Sequence, residues 1–107
     1  MGFIYHVTTE DAWAEAQERG EYRGSTLGLS LDDVGFVHCS FENQVARIVH
    51  AFYRGVPRVV VLAIDLDRLH SPVRYESPEG GEEKFPHVYG PIGCDAVVEA
   101  KPIDSHQ

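Results

Sequence analysis

Long apolar runs are missing from this sequence, and so is any surplus of positive charge. No stretch reaches the roughly 18 consecutive apolar residues that a membrane-spanning helix needs, so no membrane partner is expected. Asp and Glu number 17 against 9 Lys and Arg, a formal net charge of −8. A field of that sign repels phosphate backbones and disfavours non-specific nucleic-acid binding, although a local group of arginines can still hold a small anion. Cysteine is scarce as well. Cys39 and Cys94 lie far apart and form no C-x-x-C pair, which excludes a zinc ribbon and a thioredoxin-like motif. Two such residues do not make a disulfide framework, and both are read as reduced thiols of a cytoplasmic protein. The chain also lacks a P-loop, a G-x-G-x-x-G, a G-x-S-x-G and an H-E-x-x-H, so nucleotide cradles and hydrolase sites of the common types are unsupported. Its first residues lack the basic and apolar regions of a signal peptide, and no lipid anchor is expected.

What is present is enough for one globular domain over residues 1–107. Hydrophobic residues make up 43% of the chain and charged residues 24%, close to the globular average. A chain of this length supports one core and one pocket, with no room for a separate cofactor domain. Phe3 to Thr8 reads as a strand, followed by a helix capped by Thr9 and ended by Gly20. Residues 21–33 lack periodicity and read as an irregular loop. A short strand over 35–39 leads to Ser40 as the expected N-cap of a second helix, whose face is Val45, Ile48, Val49 and Phe52, with Gly55 and Pro57 beyond it. Residues 58–66 contain the most apolar stretch and make the expected central strand, buried on both faces. An edge strand at 72–76, an exposed turn at 77–83, an extended piece at 85–89 broken by Pro86, and a last strand at 96–103 complete the chain, with a frayed tail after Asp104. This order predicts an α+β fold, a small mixed and mostly antiparallel sheet with two helices.

Histidines recur in otherwise apolar extended segments: Tyr5-His6-Val7-Thr8, Phe36-Val37-His38-Cys39-Ser40 and Phe85-Pro86-His87-Val88-Tyr89. An unpartnered imidazole in a core costs roughly 1–3 kcal/mol, so repeated placement in strands points to a polar patch on one face of the sheet. Alternation puts His6 with Thr8, His38 with Ser40 and His87 with Tyr89, pairing a ring nitrogen with a hydroxyl each time. Such pairs suit a sugar or an amide. Cys39 adjoins His38, but strand neighbours point to opposite faces, so His38 is poorly placed to activate it as a nucleophile. His6 and His38 also have a plainer reading as satisfied core residues, Ser40 as a helix cap, Tyr89 as a core residue and Glu76 as a solvated charge. His50, His70 and His106 carry no local signal. A three-histidine zinc or iron enzyme is a rival reading that would rest wholly on tertiary contacts, and no residue is assigned as a metal ligand.

The segments Ile4-Tyr5-His6-Val7-Thr8-Thr9, Gly35-Phe36-Val37-His38-Cys39-Ser40, Val73-Arg74-Tyr75-Glu76 and Phe85-Pro86-His87-Val88-Tyr89-Gly90-Pro91-Ile92 resemble the motifs of domain-of-unknown-function family 952, from Ile4 to about Val98. That family is grouped with the ADP-ribosyltransferase-like proteins. The resemblance implies a split sheet whose cleft binds NAD or an ADP-ribose compound, with glycosyl or phosphoryl transfer as the chemistry. Taken with the shared histidine-bearing face, it makes His6, His38, His87 and Glu76 the catalytic candidates, with Glu83 as an alternative carboxylate. Thr8, Ser40, Arg74 and Tyr89 would contact the cofactor, and Arg74 or Arg23 would neutralise a pyrophosphate. The late motif presents His87 and Tyr89 where the superfamily commonly has a glutamate. The expected partner is a small nucleotide, the oligomeric state is open, and a non-catalytic ligand-binding domain is the alternative.

Overall fold

The computed structural model describes residues 2–24, 29–77 and 80–105. Expectations that fall on residues 25–28, on Pro78 and on His106 lie outside the described residues.

The central strand expected from the Val59–Ile64 run is β4 (Val59–Asp65), buried from Val59 through Ala63 and on to Ile64. It pairs antiparallel with β1 (Phe3–Thr9) on one side and β8 (Val97–Ile103) on the other. Helix α1 (Glu10–Arg19) starts where the Thr9 hydroxyl accepts a hydrogen bond from the Ala12 amide, and ends at Gly20 in the left-handed region at φ 88°. Both ends match the sequence signals, because capping chemistry is local and independent of the rest of the fold.

Residues 21–33 are more ordered than their composition suggests. They hold β2 (Glu21–Tyr22) and a short helix α2 (Leu31–Val34), whose N-cap Ser30 forms a capping box with Asp33. β2 pairs with β7 (Ile92–Gly93). The described part of the tail is pinned rather than frayed: Ser105 donates to the Val56 carbonyl at 2.5 Å, and its own carbonyl accepts from Gly55.

A second sheet contains β3 (Val37–His38), β6 (Phe85–Val88) and β5 (Val73–Glu76), in that spatial order. Pro86 lies inside its central strand; it has no amide to donate to the neighbouring β3 segment, and its carbonyl accepts from the Cys39 amide at 2.9 Å. Helix α3 (Val45–Phe52) follows a 3-10 turn over Glu42–Gln44. Ser40 is not its cap. The Gln44 side-chain oxygen closes the start of the turn by accepting from the Phe41 amide at 2.9 Å.

The two sheets are joined by one residue pair. Tyr5 and Ser40 exchange main-chain bonds of 2.8 and 2.7 Å. An unbroken antiparallel ladder would place its next such rung between Val7 and His38. That rung is absent, so β1 and β3 splay apart and a cleft opens between the sheets. The main core lies on one side, with Ile4, Leu62 and Ile64 of the first sheet packed against Val37, Cys39 and Val88 of the second. On the other side α3 packs over Val7, Val59 and Val61 through Val49 and Tyr53. The result is a small α+β fold of antiparallel sheets with few helices.

Candidate functional site

Register decides which polar groups meet. Tyr5 and Ser40 are cross-strand partners, so their side chains share a face. By alternation Ser40, His38 and Phe36 then lie on the side of Tyr5 and Val7, and His6 lies on the other. The expectation that all three imidazoles emerge together is therefore corrected for His6, which faces the main core with Ile4 and Thr8.

His6 is 2% exposed, and both its ring nitrogens are engaged. Nδ1 donates to the His38 carbonyl at 2.6 Å, which fixes the tautomer because a carbonyl only accepts. Nε2 of the neutral ring then takes the Tyr22 hydroxyl proton at 2.9 Å. Thr8, 2.8 Å from the same oxygen, completes the chain by donating to Tyr22. Burial pushes the His6 pKa down to about 4, and the Tyr22 hydroxyl is pushed up by the same cause. His6 and Thr8 thus wedge the split open from within. Their ring and hydroxyl atoms are spent on the protein itself, although His6 still borders the floor of the cleft.

The cleft encloses about 460 Å³ and is walled by β1, β3 and α3, with residues 81–83 at the mouth. This size falls within the range of small-molecule sites. His38 and Ser40 line it, and neither side chain has a hydrogen-bond partner among the described residues. Burial lowers the His38 pKa to about 4, with the nearby His87 ring acting in the same direction, so the His38 imidazole is neutral at physiological pH. Phe52 and Phe85 supply aromatic walls. The pairing of Tyr5 with Ser40 also turns the main-chain N–H and C=O of Val7 toward the gap.

The remaining predicted residues, His87, Glu76, Arg74 and Tyr89, do not line the cleft, which corrects the expectation for His87 as well; they form a second group on the same face of β3, β6 and β5. His38, His87 and Arg74 lie in register in one row across the strands. The His38 and His87 ring centroids are 5.3 Å apart, and Phe36 stacks on His87 at 4.1 Å. His87 is 2% exposed; its Nδ1 donates to Glu76 Oε1 at 2.9 Å, and its Nε2 is buried without a partner. Tyr89 donates to the same carboxylate oxygen at 2.5 Å. These two bonds, Tyr89 first, hold the Glu76 pKa below the usual carboxylate range, while the Tyr89 hydroxyl is raised. Arg74 lies 5.0 Å over the Tyr89 ring.

Glu83, the alternative carboxylate, stands at the cleft mouth but is held by Arg47 and Gln44, and its pKa is lowered chiefly by Arg47. Arg23 pairs with Glu21 and Asp32 and does not line the cleft. Cys39 is fully buried and its thiol pKa is raised by burial, which makes it unreactive. Among the described residues no three His, Cys, Asp or Glu side chains converge as metal ligands. Among them, too, no helix is long and apolar enough to cross a membrane.

Sequence reasoning missed Tyr22, Phe52, Tyr53, Gly81 and Glu82 as site residues, while Glu83 was already named as the alternative carboxylate. Tyr22 sits in a strand of two residues, too short to show alternation. Phe85 was legible, since it lies two residues before His87 on one strand.

The antiparallel sheets and few helices make this a small α+β domain. The family described as a protein of unknown function, DUF952, matches residues 7–100, and the chain belongs to that family. It is similar to protein CC0527 from Caulobacter crescentus. The crystal structure of that protein gives a TM-score of 0.83 at 27% identity, covering 96% of this chain and 87% of the other. Its solution structure gives 0.78 at 28% identity, covering 97% and 86%. No functionally curated protein matches.

Proposed function

We propose that the cleft binds a nucleotide of the NAD or ADP-ribose class, in the manner of an ADP-ribosyltransferase-like domain. The observation that carries this reading is the pair His38 and Ser40, a neutral imidazole and a hydroxyl that line one cavity and bond to nothing else described. Polar groups left without protein partners beside aromatic walls suit a ligand that offers both a planar ring and hydroxyls. Glu82 at the mouth, beside the Arg47-paired Glu83, would favour a cationic ring such as nicotinamide at that end. Arg74, on the same sheet face but outside the cleft lining, would offset phosphate charge on a ligand that extends beyond the cleft.

Thermal unfolding tests the reading. A ligand at a hundred times its dissociation constant stabilises by about 2.7 kcal/mol, on the order of 10 °C for a domain of this size. NAD or ADP-ribose at millimolar concentration is expected to raise Tm, and His38→Ala with Ser40→Ala to abolish the rise. No shift with either compound rejects the proposal.

A second reading, an interaction module, has one observation in its favour. A groove of about 720 Å³ beside α3 is bordered by the exposed Phe3 and Val98. Loss of self-association or partner binding on Val98→Glu, with nucleotide binding absent, would support it.

A further inference from the structure

A strand paired along one side only keeps main-chain groups to which another strand can bond. The first sheet runs β1-β4-β8, so β8 is such an edge. Which of its groups face outward follows from the bonds further in. Tyr5 spends its main-chain N–H and C=O on Ser40, so Ile4, His6 and Thr8 turn theirs toward β4. Their partners are Ile64, Leu62 and Val60, which leaves Val59, Val61 and Ala63 to bond β8 through Ile103, Lys101 and Glu99. Ala100 and Pro102 alternate with these, and their main-chain groups point away from the sheet. Proline is tolerated at such a position because an outward N–H takes no part in the existing ladder.

The side chains of this edge are complementary to themselves. Glu99 and Lys101 are both exposed and lie on the side of the sheet that α3 covers, with Ala100 between them. An antiparallel second copy of β8 centred on Ala100 sets Glu99 opposite the copy's Lys101, and Lys101 opposite the copy's Glu99. Both are non-hydrogen-bonded pairs, the kind whose side chains stand closest. Ala100 meets its own counterpart, and the two exchange a pair of N–H to C=O bonds. Val98, 47% exposed, comes opposite the exposed Pro102 at either end. The free edge at β5 also carries opposite charges, Arg74 and Glu76, but these are already engaged. Glu76 accepts from His87 and Tyr89, and Arg74 lies over the Tyr89 ring.

We propose that β8 pairs with β8 of a second copy of this chain, joining two three-stranded sheets into one of six strands about a two-fold axis. The contact is isologous and uses the free edge of both sheets, so assembly stops at two copies. Pro102 withholds a donor and so opposes pairing in other registers. β4 separates β8 from the cleft wall at β1, so the inference goes beyond the ligand reading and does not depend on it. A short ladder between chains that each carry a net charge of −8 makes a weak dimer, one that dissociates on dilution from millimolar to low micromolar concentration.

Sedimentation velocity of the full chain over that concentration range, in about 0.15 M salt, tests the pairing. The native chain is expected to pass from monomer to dimer. Glu99→Lys and Lys101→Glu each set like charges opposite one another at both symmetric positions, and each is expected to weaken association by about tenfold or more. An equimolar mixture of these two variants restores opposite charges at both positions and is expected to dimerise, as is the double variant. Ala100→Pro removes the outward amide, spares the bonds to β4, and is expected to stay monomeric with its circular dichroism unchanged. A native chain that is monomeric at millimolar concentration overturns the proposal. So do single charge variants that dimerise as the native chain does, a mixture that stays monomeric, or assembly beyond the dimer.

Discussion

Nδ1 of His6 stands 2.6 Å from the main-chain oxygen of His38, in the place where a ladder rung from β1 would otherwise fall. A side chain thus replaces a main-chain bond at the point where the two sheets diverge. The carbonyl stays satisfied, the strands stay apart, and the gap between them becomes the cleft. His6 holds the opening, and His38 faces into it.

This division of roles predicts unequal costs for two similar substitutions. His6→Leu leaves the His38 carbonyl without a donor and the Tyr22 hydroxyl without one of its partners, and should cost about 2–4 kcal/mol. His38→Leu removes a ring that bonds to no described group through its nitrogens and should stay within about 0.5 kcal/mol. Urea midpoints at constant m-value measure both. Equal costs would show that the wedge role is misassigned.

Acid should expose the same residue. The His6 pKa is about 4 in the folded protein against 6.5 for an unperturbed imidazole. The unfolded chain therefore binds more protons between these values, so stability rises with pH across that window. The contribution is complete above pH 6.5 and is lost as pH falls toward 4, by about 3 kcal/mol at most. His38, also lowered to about 4, adds in the same direction. Denaturation midpoints taken from neutral pH down to acid should fall steeply in the native protein and less steeply in His6→Leu. Parallel curves for the two would reject this account.

The longer strands, both long helices and the ends of α1 were legible because their causes are local, whereas the two-residue strands β2 and β7 and the short α2 were not. Thr9 and Gly20 cap α1 with no help from tertiary structure, and the Val59–Ile64 run is too apolar to lie anywhere but at the centre. Side-chain parity within each strand was legible too: His38 with Ser40, and His87 with Tyr89. What the sequence could not supply was the register between strands. One fact, that Tyr5 rather than His6 pairs with Ser40, puts His6 on the opposite face and turns a predicted ligand contact into an internal wedge. The reading of Ser40 as a cap failed for a related reason: Gln44, a long side chain one turn further on, reaches back and takes the Phe41 amide that would otherwise seek a cap.

The His38–His87 pair gives a spectroscopic prediction. Desolvation is the main reason the His38 pKa is low, and His87 adds to it. His87→Ala removes the neighbouring ring and admits water beside His38, and both changes favour the protonated form. The His38 titration midpoint, followed by proton NMR, should move up from about 4 toward the ordinary value near 6.5. A midpoint that stays put would mean that the rings are electrically independent in spite of their 5.3 Å separation.

The turn that delivers β6 into the site gives the last prediction. Gly90 follows Tyr89 with φ at 153°, a conformation that side-chain-bearing residues rarely adopt. A Cβ there would lie 2.4 Å from Ser71 Oγ and 2.9 Å from Ser71 Cβ. The Ser71 hydroxyl cannot simply swing away, because it donates to the Pro91 carbonyl at 2.7 Å. Gly90→Ala therefore combines backbone strain with a clash and a lost bond, and should cost about 2–4 kcal/mol. Ser71→Ala alone loses one partly buried bond, about 1 kcal/mol. In the double variant the Ser71 Cβ contact and the strained φ remain, so only part of the Gly90→Ala cost should be recovered. Thermal unfolding of the two single variants and the double measures the coupling. Full recovery in the double variant would show that the hydroxyl clash alone, and not the backbone, makes glycine necessary at this position.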